Sequence, residues 1–314
     1  MNFIGVINRN GGTFRTMDTA AFSANAQQVF AAHGHTLECR IVEGEHLIKE
    51  LERAASDPAS DGLLAGGGDG TISAAAAICF KHKVPLAVLP GGTMNLFARS
   101  LRIPLNLDAA LEALAGGEVA RVDIATANGR PFVHQFSVGL HSRLVKIREG
   151  LPYHSRWGKM LASLRAVTEA LSRPLVFEAE IRTAQRTEKR KAAAIAVSNN
   201  VMGEGHIPYA ETVDRGVLGV YVVRPMPPLE LARLVLTLPF GRWKQHPLVS
   251  EKEVTEMTLS FPTRKASAMA VIDGELVSLA RRLDLQIHAG GLRVIIPSSE
   301  MPSPAAVEAA ATTA

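Results

Sequence analysis

The stretch Leu63-Leu64-Ala65-Gly66-Gly67-Gly68-Asp69-Gly70-Thr71 decides how this chain is read. An apolar strand runs into glycines, and a helical run, Ile72–Phe80, follows at once. Glycine lets backbone N–H groups crowd around an anion, and a helix start adds roughly half a positive charge. Glycines here also serve simply to make a tight strand-to-helix turn. Asp69 weighs against that simpler reading. A carboxylate inside a phosphate cradle repels the ligand unless a cation intervenes, so its presence implies a working role. Thr71 is placed to cap the helix or to offer a hydroxyl to a phosphate. The spacing lacks the Lys-Ser/Thr pair of a Walker loop and has no clean G-x-G-x-x-G.

Two further turns repeat the pattern. Leu89-Pro90-Gly91-Gly92-Thr93-Met94-Asn95 follows a strand at Pro85–Leu89, and Asn8-Arg9-Asn10-Gly11-Gly12-Thr13 follows Phe3–Ile7. Strands expected at Phe3–Ile7, Thr36–Val42, Gly62–Ala65, Pro85–Leu89 and Val119–Ala125 alternate with helices at Met17–His33, Glu45–Ala55, Thr71–Phe80, Thr93–Leu101 and Leu107–Ala115. Such alternation argues a parallel, helix-covered sheet, which binds ligands at its strand ends. Neighbouring strands of that sheet can aim all three turns at one nucleotide.

After Asp123 the texture changes. Runs at Val133–Val138, Leu175–Thr183, Ala192–Ser198, Gly219–Val223, Glu256–Phe261, Ala268–Ile272, Leu283–Ile287 and Gly291–Ile296 read as a mainly antiparallel, β-rich domain. Two amphipathic helices interrupt it, Arg156–Ser172 and Leu229–Trp243. The expected organisation is an α/β domain over 1–123 and a β-rich domain over 124–296.

Composition narrows the function. At 314 residues the chain has room for about two domains. With 47% apolar and 20% charged residues it is no disordered segment. A net charge of +4 falls short of the dense cationic face of a nucleic-acid binder, so none is expected as partner. Two cysteines, Cys39 and Cys79, exclude a disulfide framework and fit a reducing, cytoplasmic compartment. The amino terminus reads as a strand rather than a signal peptide, and no apolar run approaches the ~18 residues of a membrane span.

With these residues in view, the chain resembles the diacylglycerol kinase catalytic family, which includes bacterial soluble diacylglycerol kinases and sphingosine and ceramide kinases. Gly67-Gly68-Asp69-Gly70-Thr71 matches its GGDGT signature, shared with NAD kinases. Gly92-Thr93-Met94-Asn95-Leu96-Phe97-Ala98-Arg99 matches its GTxNxFAR segment, which NAD kinases lack, and Asp273-Gly274-Glu275 matches its DGE segment. The resemblance implies a nucleotide-binding α/β domain with a parallel, NAD-kinase-like sheet, followed by a β-sandwich-like domain, and it implies that the last strand and tail return so that 297–314 pack back on the first domain. It implies that ATP with Mg²⁺ is held by Asn8, Arg9, Asn10, Gly11 and Gly12, by Gly67, Gly68, Asp69, Gly70 and Thr71, and by Gly92, Thr93 and Asn95. Asp273 and Glu275 would supply the base that takes the proton from a lipid hydroxyl, with Asp69 also in the catalytic set. Taken alone, Asp-Gly is equally a hairpin turn. The implied reaction is γ-phosphoryl transfer to a neutral lipid, diacylglycerol giving phosphatidic acid, with ceramide or a sphingoid base as the alternative acceptor. An NAD kinase and a non-catalytic lipid- or nucleotide-binding regulator are the other readings.

The match has gaps. Ser73-Ala74 replaces the common Asn-Glu after GGDGT, and Gly139-Leu140-His141-Ser142 replaces Gly-x-Asp-Ala. Where many relatives carry Asp-Asp-Gly-x-Leu-Asp near a structural Mg²⁺, this chain has Asp214-Arg215-Gly216-Val217-Leu218-Gly219. Asp214 alone makes a weak site, so the structural metal is expected to be weak or absent. A kinase acting on a lipid must visit a bilayer. The apolar faces and basic residues of the 156–172 and 229–246 segments suit peripheral contact with the inner face of the membrane, although such faces also pack as core. A homodimer is compatible with the sequence.

Overall fold

The computed structural model describes residues 1–140, 142–143, 145, 176–205, 209–227, 229–230, 233–234, 242–264 and 266–298. The described residues form two compact units, Met1–Ile124 with the strand segment from Ala289, and Ala125–His288.

The first unit opens with β1 (Asn2–Asn8), α1 (Thr19–Ala32), β2 (Thr36–Val42), α2 (Leu47–Ala55) and β3 (Gly62–Gly67). It continues through α3 (Asp69–His82), β4 (Leu86–Pro90), α4 (Leu96–Ser100), α5 (Leu107–Ala115) and the start of β5 (Glu118–Ala127). Strands β2, β1, β3 and β4 lie side by side, all parallel. Leu63, Leu64, Leu86, Ala87, Val88 and Leu89 are each fully buried, so β3 and β4 are covered on both faces. That is why they read as continuous apolar runs rather than alternating ones. Helix α1 lays Phe22, Ala26 and Phe30 on the core, and Asp18 caps it by accepting from the Ala20 and Ala21 N–H groups. Asn106 caps α5 in the same way through Ala109 N–H. The register sets Ile7 beside Gly66 and Gly67 beside Pro90, so β1, β3 and β4 end level with one another.

The second unit is β-rich. It takes in β6 (Arg130–Phe132), β7 (Gln135–Gly139), β8 (Phe177–Arg182), β9 (Thr187–Ala192), β10 (Ala194–Asn199) and β11 (Leu218–Val223). Then come β12 (Val249–Val254), β13 (Glu256–Ser260), β14 (Met269–Ile272), β15 (Glu275–Ser278) and most of β16 (Arg282–Ile296). One antiparallel sheet runs β12-β11-β10-β7-β14-β15, and a second runs β16-β13-β8-β9. Phe136, Val138, Ile195 and Val197 from the first share one core with Ile181, Leu259, Leu283 and Leu285 from the second. The architecture is therefore a mostly parallel α/β domain followed by an antiparallel two-sheet domain.

Two local expectations change, and others fall outside the described residues. Leu283–Ile287 and Gly291–Ile296 are parts of one strand, β16; Gly290 takes φ +59 and its N–H donates to Asp123 Oδ1 at 2.8 Å. From Ala289 onward this strand belongs to the first unit, and its Val294 pairs in parallel with Leu86. The segment 299–314, where the tail was expected to pack back, lies outside the described residues. The helix expected from Thr93 starts only at Leu96. The Arg156–Ser172 helix and His141 fall outside the described residues; of Leu229–Trp243, residues 229–230 and 233–234 are helical, while Arg242–Gln245 is a 3₁₀ turn.

Candidate nucleotide and acceptor sites

Three glycine turns meet at the carboxyl edge of the parallel sheet, and backbone contacts join them. Gly91 N–H donates to Gly67 O at 2.8 Å, and Thr13 N–H donates to Gly91 O at 3.0 Å. A Cβ on Gly12, whose φ is +20, would stand 2.1 Å from Gly91 O. A Cβ on Gly92 would stand 2.8 Å from Gly68 Cα. These glycines are present because backbone packs on backbone. Phe14, 1% exposed, fills the space beneath: a Cβ on Gly91 would come within 2.2 Å of its ring. Nothing in the sequence pattern marks Phe14 as part of this junction.

Asn8 closes the first turn. Its Oδ1 accepts from Asn10 N–H at 3.0 Å, and its Nδ2 donates to Thr71 Oγ1 at 3.0 Å. This corrects the expectation that Thr71 caps α3. The cap position is Gly68, and Thr71, only 6% exposed, accepts from Asn8 with its Oγ1. Arg9, Asn10 and Thr93 are exposed at the same edge.

Asp69 is the hinge of the arrangement. Its Oδ1 accepts from Leu96 N–H at 2.6 Å and its Oδ2 from Asn95 N–H at 3.1 Å. One carboxylate thus begins α3 and caps α4. Two backbone N–H groups at the start of α4 answer its charge where it stands beside the glycine turns. Asn95, at φ +50, folds back on its own turn: Oδ1 accepts from Gly92 N–H at 2.8 Å and Nδ2 donates to Gly92 O at 2.9 Å. That closed loop keeps 93–95 out of the helix.

Gly68 and Gly70 differ from their neighbours. A Cβ on Gly68 would meet nothing nearer than 3.7 Å, and one on Gly70 nothing within 4 Å. The protein needs neither glycine for its own packing, and no side chain at Gly68 caps the first turn of α3. Uncapped N–H groups beside open space at a helix start suit a phosphate. Gly70→Ala is therefore expected to raise stability by up to about 1 kcal/mol. It should weaken ATP binding by about tenfold, read as a rise in KM beside a higher Tm. Unchanged KM would reduce Gly70 to a turn residue. Cys79 lies further along α3, and burial pushes its thiol up to about 12, which rules it out as a nucleophile at neutral pH.

In the second unit Asp273 and Gly274 form the two-residue turn between β14 and β15, with φ +46 and +89. The hairpin reading of Asp-Gly is thus correct as geometry, and the carboxylate does more than turn. Oδ1 accepts from His134 and Gln135 N–H at 3.0 and 2.9 Å, and Oδ2 from Val133 N–H at 2.9 Å. Glu275 is exposed and pairs with Arg130 Nη2 through Oε2 at 2.6 Å. The partners of Asp273 and Glu275, separated from them by about 140 residues, were missed from sequence.

Asp214 is exposed. Arg215 beside it holds Glu253 with Nη2 at 3.1 and 3.0 Å, and its N–H donates to Asn200 Oδ1 at 3.1 Å. Among the described residues no three His, Cys, Asp or Glu side chains come together. A guanidinium already occupied with the neighbouring carboxylate does not fit a resident divalent cation. Chelator-treated protein returned to millimolar Mg²⁺ should keep its Tm within about 1 °C, whereas a larger rise would place a metal here.

Comparison with known proteins fits this geometry. Residues 3–127 match the diacylglycerol kinase catalytic domain. Over 230 residues the chain is 27% identical to a diacylglycerol kinase of Staphylococcus saprophyticus, covering 68% of this chain and 70% of that one. A probable YegS-like lipid kinase of Yersinia enterocolitica is 34% identical over 119 residues, covering 37% of this chain and 40% of that one. An uncharacterized protein of Synechocystis is 25% identical over 251 residues; the match spans 75% of this chain but only 55% of the relative. A crystal structure of a putative diacylglycerol kinase from Bacillus anthracis shares the fold, with TM-score 0.72 at 20% identity, covering 96% of this chain and 98% of that one. The match assigns the α/β domain, residues 3–127, to the diacylglycerol kinase catalytic family.

Proposed function

We propose that this protein is an ATP-dependent lipid kinase that transfers the γ-phosphoryl group to the hydroxyl of a neutral lipid. Diacylglycerol is the first acceptor, giving phosphatidic acid, and ceramide or a sphingoid base is the alternative. The observation that carries the reading is the junction of three glycine turns, two of them fastened by Asp69, inside the residues that match the diacylglycerol kinase catalytic domain. Backbone N–H groups of 68–71 take the phosphates of ATP, with Asn8 to Gly12, Gly92, Thr93 and Asn95 around the nucleotide. Mg²⁺ enters with ATP as substrate and neutralises phosphate charge. Phosphoryl transfer then rests chiefly on position and charge, and a neutral alcohol needs a carboxylate to take its proton. The DGE turn supplies that carboxylate, through Asp273 with Glu275 beside it.

The lipid resides in a membrane, so the enzyme works at its surface. Among the described residues no helix is long and apolar enough to cross one. The test is phosphate transfer from labelled Mg-ATP to diacylglycerol, ceramide, sphingosine and monoacylglycerol in mixed micelles, with NAD as a non-lipid acceptor. A labelled lipid is expected. Label on NAD alone, or ATP binding with no labelled acceptor, would overturn the reading in favour of an NAD kinase or a regulator.

A further inference from the structure

The segment 133–135, which holds the Asp273 carboxylate, is itself held from its other side. It leads into β7, and β7 lies between β10 and β14 in its sheet. From β14, Asp273 takes the N–H groups of Val133, His134 and Gln135, and its own N–H donates to Gln135 O at 2.9 Å. From β10, Asn199 takes the carbonyls. Its N–H donates to His134 O at 2.9 Å, and its Nδ2 donates to Val133 O at 3.2 Å. Val133 and His134 thus have their N–H groups on an aspartate and their C=O groups on an asparagine.

The residue types match the two edges of the segment. Only an amide offers Val133 O a donor from this position; a carboxylate would set acceptor against acceptor. Asn199 is 2% exposed, so the bond is made away from bulk water, where it orients firmly. Asn199 is fixed in its turn. It ends β10, paired with Leu218 of β11. Asn200, at φ +63, then turns the chain out of the strand, and its N–H donates to Val217 O at 3.1 Å. Ser198, 1% exposed, donates its hydroxyl to Asn200 O. The end of β10 is therefore a firm mount for the amide.

We infer that Asn199 is a positioning residue for the candidate base. By holding 133–134 it sets where the peptide groups that bind Asp273 stand, and the carboxylate stands with them. The inference deepens the kinase reading and rests on it, because it takes Asp273 as the group that receives the lipid proton. All three donors to that carboxylate come from one short segment, so a shift of the segment carries the carboxylate along. A base must lie within hydrogen-bond reach of the proton it takes, and small displacements at a reacting centre are costly.

The test is a double-mutant cycle on the full chain: wild type, Asn199→Ala, Asp273→Asn and the two together. Each is assayed below its Tm for label transfer from Mg-ATP to the lipid panel in mixed micelles, with kcat taken per folded molecule. Asn199→Ala is expected to lower kcat about tenfold and to leave KM for ATP unchanged. In the Asp273→Asn background, where the base is gone, the same substitution should lower Tm again but leave kcat where it was. A merely structural asparagine would lower Tm and leave kcat per folded molecule unchanged in both backgrounds. If Asn199→Ala does not fold, Asn199→Ser, which leaves a smaller void, takes its place in the cycle. Wild-type kcat in the single variant, or an equal fall of kcat in both backgrounds, would overturn the inference while the kinase reading stands. A wild-type protein that labels no lipid would overturn the kinase reading and this inference with it.

Discussion

Asp69→Ala is expected to slow phosphoryl transfer on the order of a hundredfold or more and to cost about 2 kcal/mol of stability. The stability loss follows from two half-buried donors. Without the carboxylate, the N–H groups of Asn95 and Leu96 lose the acceptors that hold them at 3.1 and 2.6 Å. The activity loss follows from what those bonds do. They fasten the β4–α4 turn to the β3–α3 turn, so their removal lets Gly92 and Thr93 drift from Gly68 and Gly70. A displacement of an ångström at a phosphate site is enough for a loss of this size. Asp69→Asn separates position from charge: its Oδ1 still accepts from Leu96, while its amide N–H opposes Asn95 N–H. If Asp69 acts through geometry, the asparagine variant lies between wild type and alanine in both Tm and kcat. A variant as stable as wild type yet inactive would instead put the carboxylate in contact with Mg-ATP. Activity of Asp69→Ala near wild type would remove Asp69 from the site altogether.

How much of this was legible in the sequence depends on the range over which each feature is decided. Glycine placement is local, so the three turns were visible from strand, glycine run and helix alone. The partners of Asp69 lie 26 and 27 residues away, and those of Asp273 138 to 140. Sequence could mark both acids as unusual but could not say what they hold. The same distinction explains the missed strands. β9 reads Thr187-Glu188-Lys189-Arg190-Lys191-Ala192 and β12 Val249-Ser250-Glu251-Lys252-Glu253-Val254. Each lies at the edge of its sheet, where charge is tolerated and keeps other chains from pairing. Hydrophobic patterning sees only buried faces, and these strands offer little of one. Conversely, the buried parallel strands β3 and β4 were plain because both of their faces are covered. The late start of α4 was hidden because a side chain, Asn95, closes the turn on Gly92.

The pair Asp273 and Glu275 yields the second large effect, and the two residues are expected to differ. Three backbone N–H bonds fix the Asp273 carboxylate to the segment 133–135. In Asp273→Asn, Oδ1 can keep His134 and Gln135, while the amide N–H meets Val133 N–H, at a cost of about 1–3 kcal/mol. Stability alone therefore cannot identify a base, because a purely structural aspartate would lose as much. The discriminating quantity is kcat per folded molecule, below the Tm of the variant. If Asp273 takes the proton from the lipid hydroxyl, that kcat falls by about 10²–10⁴ while KM for ATP stays put. If it only braces 133–135, kcat per folded molecule stays near that of the wild type. Glu275 is 60% exposed at its side chain and its one ion pair, with Arg130, is of the solvent-facing kind that contributes little. Glu275→Gln should cost less than about 1 kcal/mol of stability and less than tenfold in kcat. A larger kcat loss in Glu275→Gln than in Asp273→Asn would reverse the assignment: the exposed glutamate would be the base, and the aspartate the group that positions its hairpin.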